Sequence, residues 1–166
     1  LMERSMSNNG FLARLVLLVV PVFLAATGSA QRTTTLQQWL EGSSDKQFHQ
    51  AEKMARKGDI RSQMLVGVAY ELGLHVPKDL LEAAKWYRKV AASGNVDFQH
   101  RLGIMYEQGE GVKQDYREAL HWYREAALLG NAASQYNLAL LYYYGRGTTR
   151  DLQQAAKWYQ VAAQQG

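Results

Sequence analysis

Two periods run through the hydrophobic and polar positions of this chain. The short one is helical. Gln63, Val66, Gly67 and Tyr70 are offset by three, four and seven residues, which places them along one face of an α-helix. The long one is 36 residues. Gly73, Asp79 and Trp86-Tyr87 are followed in phase by Gly109, Asp115 and Trp122-Tyr123, and then by Gly145, Asp151 and Trp158-Tyr159. The pattern predicts three units, 59–94, 95–130 and 131–166, each a pair of helices. First helices are expected over 60–72, 96–108 and 132–144, with Gln63/Gln99/Gln135, Val66/Leu102/Leu138, Gly67/Gly103/Ala139 and Tyr70/Tyr106/Tyr142 in phase.

Punctuation supports the same division. Asp59, Asn95 and Asn131 each follow a glycine, a helix stop followed by a helix start. Gly73, Gly109 and Gly145 close the first helices, where a left-handed backbone costs glycine nothing. Asp79, Asp115 and Asp151 then cap the second helices. Glu82, Glu118 and Gln154, three residues on, complete a reciprocal capping-box pattern. The second helices carry an alanine at Ala83, Ala119 and Ala155, the Trp-Tyr pair, and alanines again near the end. Small residues permit close helix contact, and the aromatic pair supplies most of the buried area.

Upstream, Asp45 is expected to cap a helix over 46–57 closed by Gly58, which lies 36 residues before Gly94. This segment, 45–58, reads as an N-terminal capping helix or degenerate half-repeat. Residues 31–44 are polar and read as a linker, with a short helix near Leu36–Leu40. Residues 1–30 have the form of a signal peptide: Arg4 and Arg14, an apolar run from Leu15 to Ala26, and small residues at Gly28-Ser29-Ala30 before Gln31. The run of about 12 residues falls short of the roughly 20 needed to span a bilayer, so cleavage is favoured over a retained anchor. Leu1 is an unusual start, and Met6 would give a more conventional signal.

A helix of about 13 residues is marginal alone in water. One pair cannot cover its own Trp and Tyr, so stacking of about three units builds the core. Only two prolines occur, and 47% of residues are apolar, which suits a helical globular chain. The absence of cysteine excludes disulfides, zinc-thiolate sites, thiol nucleophiles and a lipid-attachment cysteine. The net charge is +4, and beyond residue 30 it is 17 basic against 14 acidic residues, dispersed rather than in a stripe. Nucleic-acid binding is therefore not expected.

Catalytic and metal constellations are not apparent. His49, His75, His100 and His121 fall in different elements without metal spacing. His121 replaces Lys85 and Lys157 of the sister units, an exposed helix position, while His100 and Glu107 can share one face. Gly109-Glu110-Gly111 lacks the Lys-Ser/Thr end of a phosphate loop and follows a helix rather than a strand. No serine has a motif-based partner. The reading is of a non-enzyme with no cofactor and no metal.

The run Leu-Gly-x-x-Tyr-x-x-Gly-x-Gly-Val-x-x-Asp-x-x-x-Ala-x-x-Trp-Tyr-x-x-Ala-Ala, from Leu102 to Ala127, resembles the Sel1-like repeat, a branch of the tetratricopeptide superfamily with longer units. The resemblance covers residues 59–166 strongly and the helix near 46–57 weakly. His75 departs from it at the second loop glycine, Ala139 at the helix glycine, and Thr148-Thr149 at Val-Lys. It implies an all-α fold, a right-handed α-α superhelix (solenoid) of tandem helix-turn-helix repeats. It also implies an exported bacterial scaffold or adaptor that binds proteins or peptides, periplasmic or secreted. The alternative it leaves open is small-ligand or cell-wall-related (β-lactam or peptidoglycan) binding or hydrolysis on the same scaffold. The branch with that association is cysteine-rich, and this chain has no cysteine.

Matching to related repeats places the first helices on the inner, concave face. The expected binding positions are Arg61, Met64, Val68, Glu71 and Leu72, then Asp97, His100, Ile104, Glu107 and Gln108, then Ala133, Tyr136, Leu140, Tyr143 and Tyr144. They differ between units, as ligand-reading positions are free to do. Tyr136, Tyr143 and Tyr144 form the strongest local candidate, since exposed tyrosines make good interface anchors. No polar capping helix follows Gly166. Either end-to-end self-association or further sequence downstream is expected, the latter favoured.

Overall fold

The structure, a computed structural model, describes residues 42–165. The signal peptide expected over 1–30, the linker up to residue 41 and the short helix near Leu36–Leu40 lie outside the described residues. The described residues divide into two compact units, with the boundary between Lys78 and Asp79. Among the described residues there are seven α-helices and no strand. The first unit contains α1 (Asp45–Arg56) and α2 (Ile60–Leu72). The second contains α3 (Leu80–Ala92), α4 (Val96–Gln108), α5 (Tyr116–Leu128), α6 (Ala132–Tyr144) and α7 (Leu152–Ala163). No helix among the described residues is long and apolar enough to cross a membrane.

The three first helices, α2, α4 and α6, have the bounds expected from the sequence. Their start signals act as caps: Asp59, Asn95 and Asn131 accept from the backbone N–H of Ser62, Phe98 and Ser134 at 2.8, 3.3 and 2.8 Å. Their stops are glycines in the left-handed region, with φ of 74° at Gly73 and Gly109 and 69° at Gly145.

The in-phase glutamines have a task that the sequence did not show. Gln63, Gln99 and Gln135 each donate from Nε2 to a carbonyl eight residues back, Ala55, Ala91 and Ala127, all at 3.1 Å. Each clamps the first helix of a repeat to a carbonyl at the end of the preceding helix that also accepts the backbone N–H of the glycine three residues on, Gly58, Gly94 or Gly130.

Two expectations about caps are corrected. The cap of α1 is Ser44, not Asp45. Ser44 Oγ accepts from Gln47 N, and Ser44 N donates to Gln47 Oε1 at 2.7 Å. The Asp45 carboxylate is instead drawn to His75, 3.0 Å away. The reciprocal box expected in the three repeats forms only by half. Asp79, Asp115 and Asp151 accept from the helix backbone. Glu82, however, pairs with Lys85, and Glu118 lies 3.5 Å from Arg88. A carboxylate with a cation in reach gains more there than from a neutral backbone donor.

The core of the second unit is built mainly from the repeating positions, with Phe98 added where the sister units have Ser62 and Ser134. Tyr87, Tyr123, Phe98, Leu102, Met105 and Leu138 are fully buried, and Tyr87 meets Phe98 edge-on at 4.8 Å. Trp86 and Trp122 are buried as well. Trp158 and Tyr159 in α7 are half-buried.

Candidate protein-binding face

In the first unit, Arg61 is exposed and Leu72 half-buried, but Met64, Val68 and Glu71 are buried. Ile104 in the second unit is buried too. These four lie on the expected helix face yet sit too deep to offer much surface, so the open part of that face is narrower than the sequence implied. Asp97, His100, Glu107 and Leu140 are half-buried, while Gln108, Ala133, Tyr136, Tyr143 and Tyr144 are exposed.

His100 and Glu107 both reach Tyr123 of α5. The Tyr123 hydroxyl donates to Glu107 Oε2 at 2.7 Å, and the His100 ring lies 5.7 Å from the Tyr123 ring. Nδ1 of His100 is 2.7 Å from Ser134 Oγ. Burial first, then the charge and hydrogen bond of Glu107, push the Tyr123 phenol well above its usual range. Asn137 and Arg101 oppose this shift. The phenol stays protonated as a donor, and Glu107 is occupied by it. The arrangement is a satisfied polar network, not a poised acid-base pair.

Arg101 in this network escaped the sequence reading. It is 2% exposed and its Nη1 lies 2.9 Å from Glu110. The available signal was a charged residue in phase with Leu65 and Asn137.

The third repeat replays the same positions with tyrosines. His100, Glu107 and Tyr123 become, in phase, Tyr136, Tyr143 and Tyr159. Tyr136 and Tyr159 lie 5.4 Å apart, and Tyr143 meets Tyr144 edge-on at 5.0 Å. Desolvation first, and then Tyr136, Tyr144 and Tyr143, raise the Tyr159 phenol. Exposures of 51%, 41% and 58% at Tyr136, Tyr143 and Tyr144 leave much ring area open to a partner. The structure thus brings the three expected tyrosines together and adds Tyr159.

In the first unit the structure places Ser43 Oγ 2.9 Å from Nε2 of His75, whose Nδ1 faces Asp45. The order of groups is that of a catalytic triad, which the sequence had not suggested. Asp45 is 86% exposed, however, where water competes for the carboxylate that would orient the ring. His75 also stacks on Phe48 at 5.5 Å and 18°. Its role is to tie its loop to the start of α1. Among the described residues no group of three His, Asp or Glu is arranged to hold a metal ion. A groove of about 740 Å³ beside the loop before α5 is crossed by its own pairs, Arg88 with Tyr106 and Arg88 with Glu118.

Comparison with known proteins accounts for the repetition. The model of the Sel1 repeat matches residues 60–95, 96–131 and 132–166. A Sel1 repeat protein from Oxalobacter formigenes is similar at 32% identity over 74% of this chain and 50% of its own, with a TM-score of 0.69. The protein c5321, a protective antigen present in uropathogenic Escherichia coli strains and displaying an SLR fold, is similar at 32% identity over 79% of this chain and 32% of its own, TM-score 0.64. Cysteine-rich protein B of Helicobacter pylori shares the fold at 23% identity over 75% of this chain and 92% of its own, TM-score 0.55. The chain thus spans half the length of the first of these structures and about a third of the second. No curated protein matches it. Its all-α architecture of 36-residue helix-turn-helix units is that of these solenoid structures. Three matched repeats covering most of the sequence establish that the chain belongs to the Sel1 repeat family.

Proposed function

We propose that this protein is an exported, non-catalytic adaptor that binds a protein or peptide partner in the cell envelope or outside the cell. Sel1 repeat proteins generally act as protein-binding scaffolds, and the finer statement rests on this chain's own residues. The observation that carries it is the tyrosine patch. Tyr136, Tyr143 and Tyr144 are all exposed, on the repeat whose sister positions are His100, Glu107 and Gln108. Aromatic rings left open on a rigid helix supply binding area at little entropic cost. Export rests on the composition of residues 1–30. End-to-end self-association remains part of the proposal as a second use of the exposed third repeat.

A photo-crosslinking amino acid placed at position 144, in the organism of origin, is expected to trap a defined partner. The same group at Lys157, on the second helix of that repeat, α7, is expected to trap no partner other than a second copy of this chain. Equal yields at both positions would defeat the reading. Fractionation with N-terminal sequencing tests export, and a mature chain beginning at Gln31 outside the cytoplasm is the expected result. A concentration-dependent sedimentation coefficient would support self-association, and a constant one would remove it.

A further inference from the structure

The second and third repeats differ in charge. Residues 95–130 carry six acidic and four basic side chains, whereas residues 131–166 carry Arg146, Arg150 and Lys157 against a single acid, Asp151. Asp151 is committed to capping α7. In the loop after α6, Arg146 replaces Glu110 in phase and Arg150 replaces Gln114. Glu110 has Arg101 as a partner, but neither Arg146 nor Arg150 has a carboxylate within ion-pair distance among the described residues.

Both arginines are nonetheless held in place. The Arg146 guanidinium lies 5.4 Å from the Tyr116 ring centroid and 5.1 Å from that of Tyr144. Arg150 lies 5.5 Å from the Tyr143 centroid and donates from Nε to the Tyr143 carbonyl at 3.1 Å. Stacking uses the flat face of a guanidinium and leaves edge N–H donors for a planar acceptor. At two positions of the edge they form, Tyr144 and Arg150, it is open for a reason independent of where the chain ends. Gln108 and Gln114, the in-phase counterparts of Tyr144 and Arg150, are exposed although further helices of the same unit precede and follow them.

We propose that this edge binds the carboxylate side chains of an acidic, extended protein segment. The guanidinium edges of Arg146 and Arg150 hold the carboxylates, and the rings of Tyr143 and Tyr144 take the intervening stems and backbone. The inference rests on the reading of the chain as a protein-binding repeat, and it specifies the partner's chemistry.

The test is fluorescence anisotropy of the full chain with three labelled peptides of five Glu-Ser, Gln-Ser or Lys-Ser pairs. The acidic peptide is expected to bind about tenfold or more tighter than the glutamine peptide, with affinity falling as salt is raised. R146Q/R150Q should abolish that preference at an unchanged melting temperature, and R146E/R150E should reverse it toward the lysine peptide. Equal binding of acidic and glutamine peptides, or an unaltered preference in R146Q/R150Q, overturns the proposal. So does arginine-dependent binding to phosphatidylglycerol vesicles without preference among the peptides. Crosslinking from position 144 that persists in R146Q/R150Q, with no acidic preference, would leave the binding face standing and remove its specificity for acid.

Discussion

The ring of Tyr123 fills the space that a side chain at position 103 would need: a Cβ on Gly103 would collide with Cδ1 and Cε1 of that ring. The contact explains why the middle repeat has a glycine on the inner side of α4. The third repeat carries Ala139 there, fully buried, opposite a Tyr159 that is only half-buried. Gly103→Ala is therefore expected to destabilise the chain by about 1–3 kcal/mol through overpacking. Ala139→Gly is expected to cost only about 1 kcal/mol of backbone entropy. Urea denaturation of the two variants checks the ranking, and equal costs would mean that Tyr123 is free to move away.

Trp122 is buried in the middle of the array, at 8% exposure. Replacing it by alanine is expected to cost about 3–5 kcal/mol, a large share of a typical total of roughly 5–15. A melting temperature that barely moves would show that Trp122 is not a core residue.

Tyr123 also gives the chain a pH signature. Its phenol is raised well above 10.0, chiefly by burial. The folded chain holds this proton more tightly than the unfolded one. The stability is complete below the unfolded value near 10.0 and is lost as the pH rises above it. The loss is expected to reach at most about 1.4 kcal/mol per pH unit from this group. Tyr123→Phe should flatten that part of the profile. It should also cost about 1–2 kcal/mol near neutrality, because Glu107 loses its donor. Parallel profiles of the two proteins above pH 10 would contradict the assignment.

His75 holds a φ of 63°, a region that Gly111 and Gly147 occupy in the sister loops. His75→Ala keeps the backbone cost and loses the contacts to Ser43, Asp45 and Phe48, so a loss of about 1–3 kcal/mol is expected. His75→Gly loses the same contacts but relieves the backbone, and should recover about 1 kcal/mol relative to alanine. Thermal melts of the pair separate the two contributions. If glycine is no better than alanine, the strained backbone contributes nothing.

Much of this architecture was legible because each boundary is set by one residue with a local reason. Asp59, Asn95 and Asn131 start helices, and Gly73, Gly109 and Gly145 stop them, whatever surrounds them. Where tertiary contacts decide, sequence reasoning missed. Ser44 and Asp45 are both good caps, and the choice falls to Ser44 because Asp45 is drawn to a histidine 30 residues away. Glu82 and Glu118 fit the box pattern, but cations compete for them. Offsets along α2 and α4 assigned a face to Met64, Glu71 and Ile104 without showing how deep each sits. The tyrosine group was legible by its departure from the sister repeats. Its extension to Tyr159, and to the arginines stacked on Tyr143 and Tyr144, required the fold.

The central claim is that binding resides in the residues that do not repeat, above all the third-repeat tyrosines. Its most direct test is crosslinking from position 97, on the first helix of the preceding repeat, in wild type and in Y136A/Y143A/Y144A. The account predicts that the triple variant loses the trapped partner while its melting temperature stays within a few degrees of wild type, because all three rings are exposed. Undiminished trapping by a folded triple variant would contradict it.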